Sequence, residues 1–224
     1  MEAYHVVATH PQLLPGIGDE NSQYDAWGNF SRAITPNGTP SPHLGWQPSE
    51  QDMFDAMTDR RIDEPPVAEV DGRRARLTAA AAAREQLKGI VGEDASLSDA
   101  ELSDSIYYSV FPNFHPWGGY NRIVYRFRPY GNDHTRSIME CYFLSPFRGE
   151  RPKPAATHWL TEAQDWTEAP ELGMLGRVFN QDCMNLPHVQ TGLEALQTGE
   201  VVFAKYQETK LRHFHHVLER YLEG

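Results

Sequence analysis

The sequence predicts an α+β fold, a curved antiparallel sheet with long helices packed on it. Three observations carry that expectation. Residues 105–111 (SIYYSVF), 121–128 (NRIVYRFR) and 137–144 (SIMECYFL) are short runs rich in β-branched and aromatic residues, joined by connections that bear Gly and Asp. Residues 73–91 include five consecutive alanines, the residue with the highest helix propensity. From Trp159 onward the pattern turns helical, most clearly at residues 189–196 and 208–222.

Taken in order, residues 1–10 contain no breaker and read as a short helical stretch. Pro11 follows at once and disfavours the helical conformation for its predecessor, so His10 is expected at or just past the helix end. Residues 11–22 carry Pro, Gly, Asp and Asn and read as a loop. Residues 24–34 (YDAWGNFSRAI) alternate well enough for one strand, and residues 36–48, dense in Pro and Gly, are loop. Residues 50–60 read as a short helix capped by Ser49. The three runs that follow residue 104, with their short connections, suggest an antiparallel meander. There is no internal repeat and no convincing linker, so residues 1–224 are expected to form a single domain.

Composition narrows the function. A chain of 224 residues, 40% hydrophobic and 11% aromatic, is long enough to bury a substantial core. A net charge of -11 argues against nucleic acid and against anionic membranes. No apolar run approaches the roughly 18 residues that span a bilayer. The start, MEAYHVVATHPQ, lacks the basic and apolar regions of a signal peptide. Cys141 and Cys183 are too few for a disulfide framework and suit a reducing cytoplasm. Neither has a His two or three residues later, so the chain is not expected to hold a Rieske [2Fe–2S] cluster, which needs two Cys and two His ligands.

His5 and His10 enclose H-V-V-A-T-H. Five residues on an ideal helix rotate the second ring by about 140°, so both cannot simply project from one face. Because Pro11 ends the helix, His10 is free to swing back towards His5. Two neutral imidazoles with an anionic third ligand would form a facial triad for a metal such as Fe(II). With ten histidines in the chain, a solvated or hydrogen-bonded His pair is the alternative.

Three stretches, EAYHVVATHP, SVFPNFHPWGGYNRIVYRFRPYGND and FNQDCMNLPHVQTGLEA, together resemble one family. It is the α-subunit catalytic domain of Rieske non-haem iron ring-hydroxylating oxygenases, similar to naphthalene and phenylpropionate dioxygenases. The C-terminal YQETKLRHFHHVLERYL resembles that family's closing helix, and the resemblance covers nearly the whole chain. It implies a helix-grip (START/Bet v 1-like) fold, with the sheet wrapped around a long C-terminal helix. It also implies His5, His10 and Asp182 as ligands of one mononuclear Fe(II). Glu2 matches the acidic residue that carries electrons from a neighbouring subunit's Rieske cluster; its alternative role is a charge favouring the helix N-terminus. Tyr107, Trp117, Leu172 and Val178 match positions lining the substrate cavity, and each is also plausible as plain core.

The implied reaction inserts oxygen from dioxygen into an aromatic ring, with cis-dihydroxylation first and monohydroxylation or demethylation second. Implied partners are an aromatic substrate, dioxygen, a ferredoxin or reductase donor, a homotrimeric assembly and a β subunit. The [2Fe–2S] cluster would sit in a missing N-terminal domain or on a partner chain. A helix-grip module that merely holds a hydrophobic or aromatic ligand is the reading from a different class. Two features are set aside: the Arg212–His216 cluster RHFHH as a half-exposed helix face, and Cys183 as a small buried filler.

Overall fold

Strands built from alternating residues pair into one sheet, and their register decides which side chains share a face. A computed structural model describes residues 3–18, 22–92, 96–118 and 121–224. Its six strands, β1 (Gln23–Trp27), β2 (Phe30–Thr35), β3 (Ser105–Val110), β4 (Phe114–Pro116), β5 (Ile123–Tyr130) and β6 (Asp133–Phe143), lie in sequence order, each antiparallel to the next. Six helices accompany them: α1 (Ala3–Thr9), α2 (Glu50–Met57), α3 (Ala75–Val91), α4 (Asp99–Ser103), α5 (Leu175–Glu194) and α6 (Thr209–Glu223). The α+β class and the antiparallel meander are as the sequence indicates. Among the described residues no helix is long and apolar enough to cross a membrane.

Paired residues point to the same side. The pairs Ser31↔Ser109 and Ala33↔Tyr107 in β2 and β3, His115↔Tyr125 in β4 and β5, and Tyr125↔Cys141 and Phe127↔Met139 in β5 and β6 therefore mark one continuous face. The helices pack on it. From α6, Val217 is fully buried beside Ser31 and Ser109, and the Lys210 ammonium lies 4.1 Å from the Tyr107 ring centroid. From α5, the fully buried Phe179 packs on Ile123 and Tyr125. The opposite face bears charge, with Arg32 paired to Asp25 and Glu140 held between Arg126 and Arg128.

Capping explains several helix starts. Ser49 and Asp52 form a capping box at α2, and Ser98 and Glu101 form another at α4, a helix the sequence reading did not single out. The region read as one strand at residues 24–34 is a hairpin, β1–β2. Gly28, at φ 53°, is the first of two turn residues between the paired Trp27 and Phe30. Glycine there permits the tight turn, across which the inward side passes from even-numbered residues in β1 to odd-numbered ones in β2. Residues 159–174 are not a helix. They hold two single 3-10 turns, Trp166–Glu168 and Pro170–Leu172, because Pro170 cannot continue the hydrogen-bond ladder of the first. The long helix begins at Leu175 and takes Pro187 into its interior.

His115 provides a stability test of this packing. Its Nδ1 lies 3.1 Å from Ser109 Oγ. Burial, with the Lys210 charge, lowers its pKa from 6.5 to about 4. As pH falls through 6.5 the unfolded chain takes up a proton at His115 that the folded chain refuses, so stability declines until about pH 4 and then levels. The expected decline is on the order of 3 kcal/mol at most. Urea unfolding of wild type and His115→Gln at pH 7 and pH 4 checks it. The wild type should lose more stability than the variant, and parallel pH profiles would contradict the assignment.

Candidate metal centre

The short helix α1 ends because Pro11 follows it. The His10 amide still donates to the Val6 carbonyl at 3.0 Å, but His10 itself leaves helical conformation at φ −124° and ψ 54°, and a 3-10 turn, Pro11–Leu13, begins. That break turns the His10 ring back towards His5, with ring centroids 4.8 Å apart. Gly16 lets the following segment lie directly on α2, since a Cβ there would collide with the Met53 carbonyl oxygen. On α5, Asp182 lies one turn beyond Phe179 and so faces inward, 7% exposed.

Three donor atoms meet at this point. His5 Nε2 lies 3.0 Å from His10 Nε2 and 2.8 Å from Asp182 Oδ1, and His10 Nε2 lies 3.1 Å from the same oxygen. His5, His10 and Asp182 are the group of three among the described residues whose ligand atoms can hold a metal ion. At these separations the three groups pair with one another, and their ligand atoms are close enough to be brought onto one ion.

Electrostatics favours the charged form of Asp182. Burial raises the Asp182 pKa, but hydrogen bonds from His10 and His5 outweigh it and hold the carboxyl below its usual value. For His10, burial lowers the pKa, but contacts with Asp182 and Gln181 prevail and leave it raised. The anion on Asp182 is thus secured inside the fold. Both thiols stay protonated: burial, with Cys183 and Asp182 nearby, pushes Cys141 up to about 12, and burial raises Cys183. Cys183 accepts a hydrogen bond from Trp166 Nε1 at 3.1 Å and is only half-buried.

Of the residues matched to the cavity, Trp117 and Leu172 both pack on the Ile123, Tyr125 and Phe179 cluster beside Asp182. Tyr107 lies against Trp117 at 5.2 Å between ring centroids. Val178 is half-buried on α5 next to Phe179. Glu2 lies outside the described residues. His213 and His216, on α6, are not part of the three-donor group. Sequence reasoning missed the groups around the donors, namely Gln12, Asp59, Arg177 and Gln181. The available signal was the spacing of Arg177 and Gln181, one turn apart, with Gln181 adjoining Asp182.

A family model described as the ring hydroxylating alpha subunit (catalytic domain) matches residues 1–224. No curated protein and no solved structure matches the chain.

Proposed function

The chain belongs to the family of catalytic domains of ring-hydroxylating alpha subunits, and from that premise we propose that it cis-dihydroxylates an aromatic substrate at a mononuclear non-haem Fe(II) bound by His5, His10 and Asp182. Membership of the family makes it an oxidoreductase, a ring-hydroxylating oxygenase. The observation that carries the finer reading is the convergence of two imidazole nitrogens and one carboxylate oxygen at mutual distances of 2.8–3.1 Å. When bound there, ferrous iron supplies the dioxygen-activating redox chemistry.

The chain's own residues do the rest. His5 and His10 would hold the ion through ring nitrogens, and Asp182 would offset one of its two positive charges. Trp117, half-buried against the packed Tyr125 and Phe179 rings, would give the proposed cavity an aromatic wall that suits a flat apolar substrate. Tyr107, Leu172 and Val178 extend this wall in the proposed cavity. Cis-dihydroxylation consumes two electrons and two protons beyond dioxygen. We assign the electrons to a Rieske [2Fe–2S] cluster in another domain or chain, fed by a ferredoxin or reductase. Glu2 would connect that cluster to His5 across a subunit boundary of a trimer.

Hydrogen peroxide provides the direct test, because an arene plus peroxide balances to the dihydrodiol with no further electrons. The Fe(II)-loaded chain, given doubly 18O-labelled peroxide and a panel of mono- and bicyclic arenes, should form products that gain two labelled atoms. Asp182→Ala should abolish them. Full iron content with no oxygenated product from any arene would favour the ligand-holding module instead. With NAD(P)H and a generic reductase but no Rieske protein, turnover should be negligible. Sustained product, or a [2Fe–2S] paramagnetic signal from the chain alone, would contradict the assignment of the electron source.

A further inference from the structure

The helix that carries Asp182 also presents a polar ladder to the segments that carry the histidines. At four-residue spacing on α5, Arg177, Gln181 and Asn185 share a face. Asn185 Nδ2 donates to Thr9 Oγ1 at 3.3 Å, at the end of α1. Gln181 Oε1 lies 2.8 Å from His10 Nδ1 and accepts a second hydrogen bond, also 2.8 Å, from Gln12 Nε2. Gln181 Nε2 returns a hydrogen bond to Gln12 Oε1 at 3.2 Å, so the two amides clamp each other. Gln12 Nε2 also reaches Asp59 Oδ1 at 3.4 Å. Asp59 is 3% exposed, and Arg177 holds it through its Oδ2 at 3.2 Å and its carbonyl at 3.0 Å. Arg177 Nη1 completes the set with Glu64 Oε1 at 3.0 Å.

From this geometry we infer that Gln181 is a positioning residue for the metal centre: it holds the Nδ1–H tautomer and ring rotation of His10, and the Gln12–Asp59–Arg177 network holds Gln181. The inference rests on the metal-binding reading of His5, His10 and Asp182. An imidazole binds a metal through the nitrogen that carries no proton, so whichever group accepts from the other nitrogen decides which one is offered. Gln181 Oε1 is an acceptor with two donors aimed at it, His10 and Gln12. Its orientation is fixed by the reciprocal amide pair, because a flipped Gln181 would set its NH2 against Gln12 Nε2 and lose both contacts. His10 is 3% exposed, so solvent cannot take over the role of Gln181.

The test compares Gln181→Leu, which removes the acceptor, with Gln181→Glu, which keeps one. Co(II) affinity is measured by anaerobic titration of the visible absorption band. Zn(II)-loaded protein is examined by proton and 15N NMR for a protected imidazole N–H at His10. Wild type should bind one Co(II) per chain and show the protected proton. Gln181→Leu should bind about 10–100-fold more weakly and lose that proton, and Gln181→Glu should recover both within a few-fold. Gln12→Leu, which leaves His10 untouched, should weaken binding in the same direction by a smaller factor and guards against a poorly folded Gln181→Leu. Wild-type affinity and a retained His10 N–H proton in Gln181→Leu would overturn the inference while leaving the metal centre intact. Failure of wild type itself to bind Co(II) would overturn the metal centre and the inference with it.

Discussion

Alanine at His5, at His10 or at Asp182 is expected to remove stoichiometric iron from the chain. The three donors stand 2.8–3.1 Å apart and are the whole of the group among the described residues, which supply no spare ligand for a lost one. Loss of a residue that only orients a ligand costs about 10–100-fold in metal affinity, and loss of the ligand itself should exceed about 100-fold. Asp182→Ala should be the most severe, since it also removes the charge that offsets the cation in a buried site. The measurement is iron per chain after anaerobic loading and gel filtration, with His213→Ala and His216→Ala as controls that keep full content. Full iron in any two of the three ligand variants would remove the centre from these residues.

Phe179→Ala is expected to cost about 3–5 kcal/mol of folding stability, the range for emptying a fully buried aromatic site. Phe179 has no exposed surface, and its ring packs edge-on against Tyr125 at 5.6 Å and Trp166 at 5.2 Å between centroids. No other α5 side chain joins the buried cluster under β5 at its centre; Leu175 packs on its edge. Because Asp182 follows one turn later, a shift of the helix into the vacated space also displaces a metal donor. Urea unfolding of the metal-free protein reads the first effect, as a lower midpoint at unchanged slope. Iron titration of the same variant at a temperature where it is folded reads the second. Phe179→Leu, which refills most of the volume, should lose less than half as much stability. A loss below about 1 kcal/mol for the alanine variant would show that α5 is held by other contacts.

Much of this was legible in the sequence, and the gaps have physical causes. The runs at residues 105–111, 121–128 and 137–144 appear as β3, β5 and β6 because β-branched and aromatic residues concentrate in them between short turn-bearing connections. The hairpin β1–β2 was hidden because a turn of only two residues, Gly28 and Asn29, barely interrupts a run of strand-forming residues. Phe114–Pro116 is too short for any periodicity to show. At the centre, the five-residue spacing of His5 and His10 and the proline after it are local facts, and they account for the bent-back ring. That Asp182 meets them depends on α5 docking beside α1, which no local pattern encodes. The amide clamp of Gln12 and Gln181 is further out of reach, because two glutamines far apart in sequence look like ordinary surface residues until the fold joins them.

His10 and Asp182 are separated by 172 positions, so the donor set closes about three quarters of the 224-residue chain into one ring. For a flexible polymer, closing a loop of that length forfeits about 4–5 kcal/mol of configurational entropy. The unfolded chain can present the local His5–His10 pair but not the third donor without that loss, so it competes poorly for the ion. A cation bound by these donors would therefore act as a reversible cross-link between the two ends of that ring. Its grip on the native state grows with the logarithm of free metal, by about 1.4 kcal/mol for each tenfold excess over the dissociation constant.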